Sequence, residues 1–314
     1  EIYDPRSGTF AGTGALLVPG GSSDVTGKLG NDALSLDDGR ALLLVQKHRH
    51  RMGPEWDLQA YDPATGRFSS QGTIESANEA EAPVRFLQQP DGHIVIVGAS
   101  LTPSVTPTQD MSVFWIDWPT IQPTKIGTIS GCGTVVAVQL ASGDRIAVLC
   151  RPSGLSASVV LFDLASGATS WIAVPMSPGA AALVRLADGR LLAAGGSEPT
   201  TLSLVDPATA TAMPAGIVDT APASPASWPE TANTSVTVLA DGRVLILSGS
   251  KASVWDPATG TATSIPGPIA SRDGHSATLL DDGQVLIFGG TTWAADKGIP
   301  PPPAVELFNP DAIP

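Results

Sequence analysis

Apolar residues run through this chain in short bursts of Val, Ile, Leu, Ala and Thr, without the i, i+3, i+4 spacing of an amphipathic helix. Two kinds of polar punctuation separate the bursts. The first is an Asp-Gly turn: "LSLDDGRALLLV", "FLQQPDGHIVIVG", "VQLASGDRIAVLC", "VRLADGRLLAAGG", "TVLADGRVLILSG" and "TLLDDGQVLIFGG", with turn glycines Gly39, Gly92, Gly143, Gly189, Gly242 and Gly283. An Asp-Gly step between apolar runs is a strong short-range signal for a β-hairpin. The second is an Asp-Pro turn, as in "AYDPATGRF" and "VWDPATGTA". Pro63 and Pro257 suit the first central position of a tight turn, and Gly66 and Gly260 tolerate positive φ. Its copies fall at Asp62, Asp117, Asp163, Asp206, Asp256 and Asn309, with one more at Asp4.

The two words alternate with a period of roughly 40–55 residues, the spacing of propeller blades. Each period holds an Asp-Gly hairpin, a connection and an Asp-Pro hairpin, hence four antiparallel strands. One such sheet cannot bury both faces; sheets arranged radially cover one another. The expected fold is therefore all-β: a six-bladed β-propeller of four-stranded antiparallel blades, with seven blades as the alternative. The chain reads as a single propeller domain with blades at about 31–73, 83–128, 133–175, 181–214, 233–266 and 274–314. Asp-Pro turns outnumber Asp-Gly turns by one, so residues 1–17 are expected to supply a closing strand, Gly8 to Leu17, for the last blade. The chain opens inside a repeat word, "EIYDPRSGTF", which suggests a processed or trimmed start.

The segment "RDGHSATLLDDGQVLIFGG" followed by "AVELFNP" resembles a kelch repeat in Arg272, His275 to Ala277, the Gly289–Gly290 pair and Phe308. A looser likeness extends over nearly the whole chain, as in Gly195–Gly196. The chain thus resembles the kelch-type, galactose-oxidase-like β-propellers of bacterial exported proteins. That resemblance implies the fold and leaves the activity open, since propellers host many functions. Copper-radical oxidases of this kind need tyrosine ligands; here Tyr3 and Tyr61 are the two tyrosines, both in the Asp-Pro word. That activity is not expected.

Composition sharpens the picture. The 314 residues carry a formal charge of −13, with 17 Lys and Arg against 30 Asp and Glu, which disfavours nucleic acid and anionic membranes as partners. No apolar run has the length of a membrane span. Cys132 and Cys150 flank one hairpin; they form either a disulfide, which favours an exported protein, or two buried thiols. No G-x-S-x-G elbow, H-E-x-x-H pair, phosphate loop or sialidase-type Asp turn occurs, so no catalytic residue is named and enzymatic activity is not the leading reading.

Both tight turns of a blade point to one end, so the remaining connections form the expected working face. The turn glycine and the next turn Asp or Asn are 23, 25 and 26 positions apart in blades one, two and six, against 20, 17 and 14 in blades three, four and five. Blade one contributes "QKHRHRMGPEWD", with His48, Arg49, His50, Arg51, Glu55 and Trp56; blade two contributes Asp110; blade six contributes Trp293, Asp296 and Lys297. His48 and His50 fall on one side of an extended strand and Arg49 and Arg51 on the other. A solvated loop, an anion pocket built on the arginines and a His-bound metal all fit that stretch. Glu75, Glu79 and Glu81 admit a calcium or paired-carboxylate reading beside the simpler one of a solvated acidic loop. No cofactor is otherwise implied. Trp115, Trp118, Trp171 and Trp255 read as core between blades, His275 as structural and His93 as exposed.

The leading expectation is an exported binding module, periplasmic, cell-surface or secreted, that offers the long loops of blades six, one and two to a glycan or protein partner. A carbohydrate-active enzyme using the same loops, and a structural domain of a larger surface protein, are the alternatives.

Overall fold

A computed structural model describes residues 2–17, 29–48, 54–75, 85–99, 110–116, 123–132, 134–139, 144–151, 157–176, 181–196, 199–219, 234–267, 273–291 and 305–309. These residues form strands and turns, with no helix among them. They make six antiparallel sheets in chain order, a six-bladed β-propeller fold. The first blade is β3 (Leu29–Ser35), β4 (Ala41–His48), β5 (Pro54–Asp62) and β6 (Arg67–Glu75). The second is β7 (Arg85–Gln88), β8 (Ile94–Ala99), β9 (Met111–Ile116) and β10 (Pro123–Ile129). The third is β11 (Thr134–Gln139), β12 (Arg145–Arg151), β13 (Ser158–Asp163) and β14 (Thr169–Ala173). The fourth is β15 (Ala181–Arg185), β16 (Leu191–Gly195), β17 (Thr200–Asp206) and β18 (Thr211–Val218). The fifth is β19 (Thr234–Val238), β20 (Val244–Ser248), β21 (Lys251–Asp256) and β22 (Thr261–Ile265). The sixth has three strands among the described residues: β23 (Asp273–Leu279), β24 (Val285–Thr291) and β25 (Val305–Phe308).

The amino-terminal segment departs from expectation. Thr9–Ala11 (β2) does not join the sixth blade. It pairs with Ile2–Asp4 (β1) in a two-stranded sheet of its own. The reason is local: "IYDPRSGTF" is a complete Asp-Pro hairpin word, and its Tyr3–Phe10 ring pair (5.1 Å between centroids, 48° between planes) reproduces Tyr61–Phe68 in blade one (4.9 Å, 52°). Its continuation lies on blade one, where the Gly14 N–H donates to the Gly66 carbonyl at 2.8 Å.

Both turn words fold as their chemistry dictates. In the Asp-Gly turn the Gly39 N–H donates to the Leu36 carbonyl and the Leu36 N–H to the Arg40 carbonyl, while Gly39 takes φ 84°. The loop thus has three residues, a type I turn closed by a left-handed glycine, rather than the two-residue form. In the Asp-Pro turn the Asp62 carboxylate accepts from the Ala64 N–H at 2.9 Å and the Thr65 hydroxyl at 3.0 Å, and Gly66 closes onto the Asp62 carbonyl.

The chain divides into two compact units, Glu1–Ile146 with Phe162–Thr169 and Ala147–Leu161 with Ser170–Pro314. In the first, Leu42, Leu44, Leu58 and Ala60 of blade one pack on Phe86, Ile94, Ile96, Phe114 and Ile116 of blade two. In the second, Leu192, Ala194, Leu202 and Leu204 of blade four pack on Val244, Ile246 and Trp255 of blade five. The opposite face of blade five, Leu245, Leu247, Ala252 and Val254, is covered by Val285 and Ile287 of blade six. The middle strands β16, β20 and β21 are thus buried on both faces, and there the alternation of a half-buried sheet is replaced by continuous apolar runs.

Three outer strands bulge at one equivalent place. Gly72 of β6, Gly127 of β10 and Gly216 of β18 stand opposite Leu58, Val113 and Leu202, and the preceding residues Gln71, Ile126 and Ala215 are skipped in the pairing. The extra residue turns its carbonyl out of the ladder. In the second unit that carbonyl, Ala215 O, accepts from the indole N–H of Trp255 at 3.0 Å.

Candidate functional site

The longest inner hairpin is β4–β5. Counting from the Asp-Gly turn, Val45 is the equivalent of Ser248, where β20 ends opposite Lys251. β4 does not stop there. It continues through Gln46, Lys47 and His48, which pair with Trp56, Glu55 and Pro54. β6 follows, placing Ile74 opposite Trp56 and Glu75 opposite Glu55. The extension therefore sets two rows across three strands: Gln46, Trp56 and Ile74, then Lys47, Glu55 and Glu75. Consecutive rows alternate between the two faces of the sheet, so the Trp56 row and the Glu55 row belong to opposite faces of the extended blade end.

The base of the extension is fixed by a buried polar network. Asp57 and Gln59, 1% and 0% exposed, lie just inside it. Gln59 Nε2 donates to Asp57 Oδ2 at 2.7 Å, and the Ser70 hydroxyl donates to Asp57 Oδ1 at 2.6 Å. Gln59 also takes both backbone groups of Leu17, accepting from its N–H at 3.0 Å and donating to its carbonyl at 2.6 Å. A buried carboxylate is tolerable where its lone pairs are filled in this way.

Of the residues singled out from sequence, His48, Glu55 and Trp56 are in the extension. Arg49, His50, Arg51, Trp293, Asp296 and Lys297 lie outside the described residues, as do Trp118, Glu79 and Glu81. The structure thus brings His48, Glu55 and Trp56 together on one hairpin and describes no juxtaposition of blade one with the blade-six candidates. Asp110 stands before β9, where its carboxylate accepts from the Gly131 N–H at 3.0 Å and ties the inner edge of that hairpin to the turn after β10. Cys132 and Cys150 are fully buried and joined in a disulfide. His275 is structural as expected, 8% exposed with Nε2 2.8 Å from the Ser235 hydroxyl. Trp255 is core. Trp171 is not. It is 44% exposed on β14, because an outer strand has one face turned to solvent. His93 is not simply exposed either: its ring stacks on Trp115 at 4.5 Å, and Nδ1 lies 2.9 Å from the Asp91 carboxylate.

That histidine marks a feature the sequence reading passed over. A cavity of about 220 Å³ opens on the tight-turn end of blades one and two, lined by Leu36, Asp37, Asp38, Gln88, Asp91, Gly92 and His93. Two of its three carboxylates are committed to their own turns: Asp38 pairs with Arg40 at 2.5 Å and Asp91 with His93. Burial raises the Asp91 carboxyl, but the His93 backbone N–H and imidazole outweigh it and leave it below the ordinary value of 3.8. No group of three or more His, Cys, Asp or Glu suited to a metal ion occurs among the described residues. The signal for this cavity was the break in the repeat, His93 where Arg40, Arg190 and Arg243 stand in sister turns.

No protein-family model matches the chain, and no curated protein matches it in sequence. Among solved structures it is similar to two of the extracellular domain of BT4673 from B. thetaiotaomicron, described in one as a one-component system and in the other as a hybrid two-component system. In both comparisons the TM-score is 0.57 and the identity 12%. The match covers 92% of this chain and 33% of the other, so this chain spans about one third of that domain's length. At such identity the likeness establishes the fold and nothing finer. No helix among the described residues is long and apolar enough to cross a membrane.

Proposed function

We propose that this chain is an exported recognition module of kelch type, binding a glycan or protein ligand through the outer end of blade one. The observation that carries the reading is the β4–β5 extension: three residue pairs beyond the point where the blade-five hairpin ends, anchored below by the buried Asp57–Gln59–Ser70 network. A rigid strand platform positions ligand contacts more firmly than an untethered loop. The disulfide fits an oxidising compartment. The structural neighbours are described as extracellular domains of a one-component and a hybrid two-component system, a setting that suits ligand recognition.

Glycan arrays followed by calorimetry on the hits test this. Trp56→Ala and Lys47→Ala are expected to weaken binding at least tenfold, the loss of one stacking or charge-assisted contact. Trp171→Ala, on an exposed outer strand, is the control that leaves binding unchanged. A ligand whose affinity is indifferent to Trp56, Lys47 and Glu55 would move the site elsewhere.

A further inference from the structure

Thr200 is a buried hydroxyl out of keeping with its place in the repeat. It precedes the turn aspartate Asp206 by the same interval that separates Met111 from Asp117 and Ala157 from Asp163. Met111 and Ala157 are buried apolar side chains. Thr200 is buried as well, 0% exposed, and its Oγ1 has no hydrogen-bond partner among the described residues. An unpaired buried hydroxyl is destabilising, so a position that keeps one calls for a partner.

Register shows what Thr200 faces. It lies on the same side of β17 as Leu202 and Leu204, which pack on Val244, Ile246 and Trp255 of blade five. One step farther from the Asp-Gly turn on that side of blade five, Thr234, Ser248 and Lys251 form one cross-strand row. Thr234 and Ser248 are buried. The Lys251 ammonium stands at the rim, 44% exposed, and pairs with the Asp219 carboxylate, which is 69% exposed. Asp219 follows Val218, the ladder partner of Thr200. The seam between blades four and five thus holds three hydroxyls within, one cation at the rim and one carboxylate across it. All of these residues belong to the second compact unit.

We propose that this seam is a binding site for a carboxylate group, with Asp219 as its built-in competitor. Asp219 itself argues for that chemistry, because it is the group Lys251 already takes at this place. An exposed ion pair contributes little to stability, so a ligand carboxylate displaces it readily. Lys251, released from Asp219, holds one oxygen of the ligand, and the Thr200 hydroxyl donates to the other from within the seam. The ligand thereby gives the Thr200 hydroxyl its acceptor. No residue of blade one takes part, so the inference is independent of the ligand reading there.

The test titrates the full chain, isotope-labelled for NMR, with sodium acetate at constant ionic strength, sodium chloride making up the balance. The Thr200 and Lys251 signals are expected to shift along a saturating curve. Asp219→Asn removes the competitor and is expected to tighten acetate binding about threefold or more. Asp281→Asn removes the same charge from an exposed turn of blade six and is expected to leave binding unchanged. Thr200→Val keeps the shape and is expected to weaken binding about fivefold or more. Thr200→Ser restores the hydroxyl and is expected to restore the affinity, which separates a lost hydrogen bond from a disturbed seam. Lys251→Met is expected to abolish binding. Glucuronate is titrated beside acetate: tighter binding of glucuronate identifies an acidic sugar as the source of the carboxylate, and tighter binding of acetate a simple organic acid. Shifts that do not saturate, or that chloride alone reproduces, overturn the proposal. So does an affinity indifferent to Asp219→Asn and Thr200→Val, or one that Thr200→Ser lowers as far as Thr200→Val does.

Discussion

Ala210 is the residue most out of keeping with its conformation. It stands in "DPATA" where the sister turns have Gly66 and Gly260, and it takes φ 54°, against 67° and 70° for those glycines. A Cβ in the left-handed region costs about 1–2 kcal/mol, partly offset by the smaller unfolded-state entropy of alanine. Ala210→Gly is therefore expected to stabilise the protein by about 0.5–1 kcal/mol, and Gly66→Ala to destabilise it by about 1 kcal/mol, both read from thermal or denaturant unfolding. The turn aspartates set the acid limit. The Ser166 hydroxyl and N–H hold the Asp163 carboxyl below its ordinary 3.8, and the Arg190 guanidinium does the same for Asp188. Their folded-state values are depressed, so the stability they add is complete above about pH 4 and lost as the pH falls through the lowered values. Unfolding midpoints measured from pH 5 to pH 2 should drop, and Asp163→Asn should flatten that drop. These carboxylates are exposed, so each effect is small on its own. The turn residues were legible in the sequence because Asp, Pro and Gly act through local geometry.

Strands were legible for the same reason, but their irregularities were not. The bulges at Gly72, Gly127 and Gly216 are long-range features: a Cβ on Gly127 would lie 2.6 Å from the buried Phe162 ring. Gly127→Ala is accordingly expected to destabilise by more than the strand preference alone, in the range of about 1–3 kcal/mol for overpacking. The bulged carbonyl of Ala215 has its own check. Trp255→Phe removes the indole donor and leaves a small cavity in place of the second ring, and should cost about 2–3 kcal/mol. Nothing in the neighbourhood of Trp255 or Gly127 along the chain announces either contact. The candidate site divides in the same way. His48, Glu55 and Trp56 drew notice as a cluster of functional side chains in a chain poor in them. That β4 and β5 stay paired as far as His48 and Pro54, and that Asp57 and Gln59 brace the base, depended on cross-strand register and on Leu17, which is remote in sequence.

At the scale of the molecule, the disulfide tests how far the fold depends on a cross-link. Cys132–Cys150 closes a short loop around the β11–β12 hairpin of blade three, for which chain-entropy reasoning gives about 3 kcal/mol. Reduction, or replacement of both cysteines by serine, should lower the melting temperature measurably while leaving the all-β circular dichroism spectrum in place. Loss of the fold on reduction would mean that the blade depends on the cross-link. The order of the blades was legible in the sequence and their number was narrowed to six or seven, because each blade is a local repeat whose turns, strand lengths and apolar runs arise within about 50 residues; the six blade sheets of the structure decide between the two. What tertiary structure alone decided is how each face is used. The amino-terminal hairpin kept to its own sheet, and Trp171 fell on a solvent-facing outer strand while Trp255 was sealed between blades four and five. The physical reason is that turn chemistry acts over a few bonds, whereas burial belongs to pairs of sheets. The same apolar word is core or surface according to what the rest of the chain lays against it.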